Sequence, residues 1–189
     1  LPKIVDMAGL RLAEMEQLLR SEPDLQWHPS QPDDLALLLL TSGSTGTPKA
    51  VMHTHQSLLS HCVGDGAYTQ FSASEVTLNW FPHYHVVCIV MFHLRYIFLW
   101  CELILAPTHR VLQDPLIWLD WLHRYHVTVT WAPNFAYSLV NEKVATVVDK
   151  SWDLSALRFI LNAGEAIVAK TARRFLELLR PYGLSPTAM

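Results

Sequence analysis

Leu35-Ala36-Leu37-Leu38-Leu39-Leu40, followed directly by Thr41-Ser42-Gly43-Ser44-Thr45-Gly46-Thr47-Pro48-Lys49, is the stretch on which the fold turns. The first half is an apolar run of strand length. The second is dominated by Gly, Ser and Thr and closes on a lysine. A loop so made can wrap an anion. Its glycines let backbone N–H groups approach and point inward, its hydroxyls add donors, and the lysine brings a mobile positive charge. Its place after a strand is where α/β proteins put a phosphate-binding turn. It is not a Walker A loop, because Gly43 and Gly46 stand too close together and Lys49 follows proline. The plainer reading is a flexible Ser/Gly linker, but linkers rarely sit flush between two apolar segments or end in Pro-Lys.

Read as LTSGSTGTPKAV, Leu40 to Val51 resembles the phosphate-loop signature of the adenylate-forming enzymes, with Ala50 where many members carry glycine. That superfamily includes acyl-CoA synthetases, fatty acyl-AMP ligases and the adenylation domains of nonribosomal peptide and polyketide assembly lines. The resemblance implies that Thr41, Ser42, Gly43, Ser44, Thr45, Gly46, Thr47 and Lys49 contact the phosphates of ATP and the leaving pyrophosphate.

The 189 residues suffice for one domain with a sizeable core. A net charge of −3, without a lysine or arginine run, argues against a nucleic-acid partner. Cys62, Cys88 and Cys101 are odd in number and lack metal-ligand spacing; they read as buried thiols of a reducing compartment. The N-terminal LPKIVDMAGLRLAEMEQ has no signal pattern, and a cytoplasmic location is expected. The apolar stretch Val86 to Ala106 carries His93, Arg95 and Glu102, and a central arginine alone costs roughly 2.5–3.5 kcal/mol in a bilayer. It reads as a buried helix and a short strand, not a membrane span. Hydrophobic residues reach 51% and charged ones only 16%, so the chain is expected to present an apolar face to a partner surface.

Residues Leu10 to Arg20 have helical spacing, and Ser21 to Asp34 holds three prolines and reads as a surface connection. Residues 1–34 are therefore an N-terminal helix and connecting segment, and 35–189 one α/β subdomain. Strands are expected at Leu35–Thr41, Ala50–His53, Val76–Trp80, Leu103–Ala106, Val127–Trp131 and Leu157–Leu161. Helices are expected at Gln56–Tyr68, Val86–Trp100, Pro115–Tyr125, Phe135–Val144 and Ala169–Leu179, with Thr54 and Asp114 at two helix starts. Such alternation predicts an α/β fold, a mainly parallel sheet flanked by helices. By resemblance it is part of the large N-terminal domain of an adenylate-forming enzyme.

Three further segments follow predicted strands, where open α/β sheets collect ligands. Trp80-Phe81-Pro82-His83-Tyr84-His85 should line the same crevice as the Gly/Ser/Thr loop. It resembles the family's second core motif, which places Tyr84 and His85 at the carboxylate pocket. Amino-acid-activating members carry aspartate there, to pair with an α-ammonium group that needs a counter-charge when buried. His85 in its place implies an acid without an α-amino group. Where fatty acyl-AMP ligases commonly continue with aspartate and a small glycine-containing turn, this chain has Val86, Val87 and Cys88. Ala132-Pro133-Asn134-Phe135-Ala136-Tyr137 resembles a fatty acyl-AMP ligase segment bordering the acyl pocket, giving Asn134 and Phe135 as pocket candidates; a helix start plus a core aromatic explains the same residues equally well. Asn162-Ala163-Gly164-Glu165-Ala166 resembles the adenine-contacting turn, giving Ala163, Gly164 and Glu165, although Glu165 fits as well as the first-turn acid of the next helix. His53-x-His55 and His83-x-His85 share a strand-face spacing, but no third ligand is evident nearby, and no metal is expected on them.

The leading reading is ATP-dependent activation of a fatty, aryl, keto or hydroxy acid as its acyl-adenylate. Transfer would follow to a phosphopantetheine carrier protein or to CoA, in polyketide or nonribosomal peptide biosynthesis. Lys49 and His85 are the catalytic candidates, and Mg2+ would accompany ATP. By resemblance the metal-linked glutamate and later motifs lie beyond Met189, so the domain is expected to be incomplete and these residues alone inactive. The alternative is a non-catalytic or severed subdomain with a scaffolding role in a megasynthase.

Overall fold

The computed structural model describes residues 20, 22, 25, 26, 28–41, 49–147 and 149–189. The helix expected over Leu10–Arg20, apart from Arg20 itself, and the loop residues 42–48 lie outside them.

β1 (Leu35–Thr41) and β2 (Lys49–Thr54) form an antiparallel hairpin, with Leu40 opposite Ala50 and Thr41 opposite Lys49. This departs from a parallel arrangement of all strands, for a topological reason. Parallel neighbours need a crossover of about a dozen residues or more, and residues 42–48 are too few to make one. α1 (His55–Thr69) follows at once, and Thr54 caps it by accepting the Ser57 N–H at 3.2 Å.

The other strands build one parallel sheet in the order β4-β3-β5-β6: β3 (Val76–Asn79), β4 (Glu102–Leu105), β5 (Val129–Ala132) and β6 (Phe159–Asn162). All four β5 residues are buried, as a central parallel strand covered on both faces must be. Between β3 and β4 the chain forms α2, which runs as a π-helix over Val87–Leu94 and continues as an α-helix over Arg95–Phe98. An ordinary α-helix was expected there. α3 (Thr108–Gln113) and α4 (Leu116–Arg124) link β4 to β5. Asp114 Oδ1 accepts the Leu116 N–H at 3.1 Å and so starts α4. α5 (Asn134–Val144) links β5 to β6, and α6 (Ala169–Leu179) follows β6.

One apolar layer packs Trp118, Leu119 and Leu122 of α4, Tyr137 and Val140 of α5, and Phe175 and Leu179 of α6 around Leu78. Burying each large side chain contributes about 1.5–3 kcal/mol. The opposite layer gathers Phe71, Phe92, Tyr96, Val129 and Trp131. Arg95 is wholly buried in it, beside the rings of Phe71, Tyr96 and Trp131, and pairs with Asp65 of α1 at 2.5 Å. Close by, Arg158 lies against the same Phe71 ring and pairs with buried Glu75, which also accepts the Thr128 hydroxyl at 2.5 Å.

Large apolar side chains stay exposed on the hairpin and α1, among them Leu40 at 78%, Met52 at 73%, Leu59 and Val63. Cys62 and Cys88 are buried and Cys101 half-buried, all three as free thiols. No helix among the described residues is long and apolar enough to cross a membrane.

Candidate nucleotide and acyl site

The carboxyl ends of β3, β5 and β6 lie side by side in the sheet, so the three loops that leave them are neighbours. Each of those ends carries a buried asparagine: Asn79, Asn134 just past β5, and Asn162. Buried amides are as a rule hydrogen-bonded, and all three of these are, although Asn162 Oδ1 itself finds no partner among the described residues.

Asn79 Oδ1 accepts the Phe81 N–H at 2.9 Å, and its Nδ2 donates to Cys88 Sγ at 2.9 Å. One side chain therefore sets both the start of the Trp80–His85 loop and the first turn of α2. The loop closes through His85 N–H to the Pro82 carbonyl at 2.9 Å, and the His85 ring stacks on Phe81. Tyr84, 84% exposed, and exposed His85 face a cleft of about 530 Å³ with Val86 and Ile89 on the same wall. Residues 37–40 of β1 form the opposite wall. β1 runs straight into the Gly/Ser/Thr loop, and Lys49 stands across from Thr41 at the loop's other end. The cleft thus lies at the base of that loop. Its described lining holds one imidazole and one phenol and no carboxylate.

The second cluster joins β5 and β6. Asn134, 7% exposed, uses Oδ1 to accept from Asn162 Nδ2 at 3.2 Å and from Val168 N–H at 3.0 Å. Phe135, half-exposed, meets Trp80 edge to face, which ties this cluster to the first. Ala163 N–H donates to the Ala132 carbonyl at 3.3 Å, and Gly164 has φ +94°. A Cβ at Gly164 would touch nothing within 4 Å, so the glycine serves the left-handed backbone and not a tight space. Glu165 does not act as the first-turn acid of α6, which holds no acid in its first turn. Its carboxylate accepts the Phe135 N–H at 2.6 Å, at the start of α5.

The structure therefore brings Tyr84 and His85 to one wall of a cleft beside the end of β1, and Asn134, Phe135, Ala163, Gly164 and Glu165 to a neighbouring cluster. Ser42, Gly43, Ser44, Thr45, Gly46 and Thr47 lie outside the described residues. Asn79 and Asn162 were absent from the sequence-based candidates. For Asn79 the signal was there to read, since an asparagine ending an apolar strand can be satisfied by the loop that follows; Asn162 is held instead by Asn134, 28 residues earlier in the chain. A larger hollow of about 740 Å³ lies between Ser30–Pro32 and α1, but it is wide open and, apart from His55, includes none of the motif residues. Among the described residues no three His, Cys, Asp or Glu side chains converge on a metal position.

Residues 3–188 match the family model of the AMP-binding enzymes. Among characterised sequences, the chain is 36% identical over 160 residues to an atromentin synthetase of Tapinella panuoides, covering 84% of this chain and 17% of that protein. Among solved structures, it is similar to the adenylation domain of a keto acid-selecting nonribosomal peptide synthetase module bound to keto acyl adenylate. That match has a TM-score of 0.84 and 45% identity and covers 90% of this chain and 32% of the other. A fatty acyl-adenylate ligase from L. pneumophila, in complex with acyl adenylate and pyrophosphate, matches with a TM-score of 0.76 and 27% identity over 85% of this chain and 28% of its own. The chain spans a third or less of each of these relatives. A family match over nearly its whole length, together with a fold shared with two adenylating proteins, shows that the chain belongs to the AMP-binding enzyme family.

Proposed function

We propose that the whole protein activates a carboxylic acid lacking an α-amino group, foremost a 2-keto acid, by joining it to AMP. A carboxylate oxygen of the acid attacks the α-phosphorus of ATP, the bond to the β-phosphate breaks, and pyrophosphate leaves. Charge moves onto the leaving phosphates as this happens. Donors held ready around them lower the barrier, because they need no reorganisation at the moment of reaction. Thr41 to Thr47 and Lys49 are the residues proposed for that task. Ala163 and Gly164 would border the adenine, and Tyr84, His85, Asn134 and Phe135 the acyl group. Mg2+ would accompany the triphosphate, and no residue of this chain is proposed as its ligand.

One observation carries the choice of acid: the cleft beneath the phosphate loop presents His85 and, in its described lining, no carboxylate. An α-ammonium group buried there would have no counter-charge, and burying an unpaired cation is costly. A keto oxygen needs none and can accept a hydrogen bond. The similarity to a keto acid-selecting adenylation domain points the same way. Onward transfer to a carrier-protein phosphopantetheine is proposed over CoA, on the likeness to nonribosomal peptide synthetases. The exposed apolar residues of the hairpin and α1 would then pack on the remainder of the same domain.

The reading is tested by incubating the whole protein with ATP, Mg2+ and single acids and looking for acyl-AMP by mass spectrometry. Acyl-AMP from 2-keto acids is the expected product. Its absence with every carboxylic acid offered would leave a scaffolding subdomain instead.

A further inference from the structure

α5 starts without any local means of capping itself. The residue before it is Pro133, which makes no side-chain cap bond, and its first turn holds no acid. The first N–H groups of a helix have no partner within the helix and must find acceptors elsewhere. Phe135 N–H finds one 30 residues downstream, in the Glu165 carboxylate at 2.6 Å. α6 has the mirror problem, since Val168 before it makes no side-chain cap bond. Its start is held by Asn134 Oδ1, which takes the Val168 N–H at 3.0 Å. Each segment supplies the acceptor that the other lacks.

We propose that Glu165 and Asn134 are positioning residues that couple the adenine side of the site to its acyl side through this exchange of caps. The inference rests on the adenylation reading above. Glu165 is exposed, so with its turn unsettled the carboxylate trades Phe135 N–H for water. A nucleotide that orders the turn from Ala163 to Glu165 holds the carboxylate on the start of α5. Phe135, packed on Trp80, is then fixed against the acyl group. Such coupling is reciprocal by necessity: if AMP tightens the acid, the acid tightens AMP equally. Glu165 thereby acts through α5 and need not touch the nucleotide.

The test uses the whole protein, with AMP and the 2-keto acid giving the fastest ATP–pyrophosphate exchange as probes. Each is titrated alone and in the presence of the other, in wild type, Glu165→Ala and Glu165→Gln. Wild type should bind the acid more tightly when AMP is present. Glu165→Ala should lose roughly five- to tenfold of that enhancement, the range of a lost helix cap, and raise KM for the acid without changing AMP affinity alone. Glu165→Gln keeps an acceptor oxygen and should restore most of it. An unchanged enhancement in Glu165→Ala, no enhancement in wild type, or a loss confined to AMP binding would each overturn the inference; the last would make Glu165 a direct nucleotide contact. So would Glu165→Gln behaving like Glu165→Ala, which would assign the effect to charge alone. A wild-type protein that neither binds AMP nor exchanges with any acid overturns the adenylation reading itself, and the coupling with it.

Discussion

Val87 donates its backbone N–H to His85 Nδ1 at 3.1 Å, so the neutral ring carries its proton on Nε2. The first turn of α2 thereby holds the imidazole in one tautomer at the cleft wall. The reading proposed above puts this residue where amino-acid-activating enzymes of the family carry aspartate. His85→Asp should therefore move selectivity toward amino acids. A hydrogen bond to a charged group amounts to about 1.5–3 kcal/mol, or roughly ten- to a hundredfold in the ratio of kcat/KM for an amino acid over its 2-keto counterpart. An unchanged ratio would remove His85 from the acyl site.

Lys49 opens β2 directly across from Thr41, at the end of the Gly/Ser/Thr loop proposed to hold phosphate. Charge-assisted hydrogen bonds are about twice as strong as neutral ones, so Lys49→Ala should cost about ten- to a hundredfold in kcat/KM for ATP. Exchange measured at several ATP concentrations reads this directly. Wild-type kinetics in the variant would place the lysine outside the phosphate site.

Burial decides the next outcome. Arg95 is fully buried, and its ion pair with Asp65 joins α2 to α1. Removing one partner of a buried pair leaves an uncompensated charge, at a cost of about 3–5 kcal/mol. Asp65 keeps some solvent access, so Asp65→Ala should fall near the lower end, about 3 kcal/mol in urea unfolding. Replacing both residues, as in Asp65→Ala with Arg95→Met, should recover much of the loss. A single variant as stable as wild type would show that water or another group compensates Arg95.

Burial also pushes the thiols of Cys62, Cys88 and Cys101 above the ordinary range; at Cys88 it outweighs the hydrogen bond from Asn79. A raised pKa leaves less thiolate at neutral pH, and thiolate is the nucleophile. Iodoacetamide should therefore label the native protein slowly at pH 7 and quickly after denaturation, with the native rate climbing as pH rises above the usual thiol value of about 8.5. Fast native labelling at pH 7 would contradict the packing described for these residues.

Much of this fold was legible from local pattern. Ala169–Leu179 could be bounded as a helix because its apolar residues repeat at helical spacing. The Thr54 and Asp114 starts followed from side-chain oxygens placed to meet a helix N–H. What escaped were consequences of contact at a distance. The hairpin pairing of β1 with β2 depends on a short connection more than on either strand. The π-helical turns of Val87–Leu94 leave no mark in a continuous apolar run, and the structure offers no physical account of them. α3 was missed because its Thr108 hydroxyl serves the Trp80 carbonyl at 2.7 Å and caps nothing. In the site, motif spacing gave the neighbourhood of Glu165 but not its partner, since a cap 30 residues away has no local signal.

The central claim, activation of an acid without an α-amino group, meets its most direct test in ATP–pyrophosphate exchange by the whole protein with matched pairs of acids. Each pair is a 2-keto acid and the amino acid of the same side chain, differing only at the α-carbon substituent. The account predicts exchange with at least one 2-keto acid and at least tenfold slower exchange with its amino-acid twin, the difference an unpaired buried ammonium should make. Selective exchange with the amino acid would contradict it.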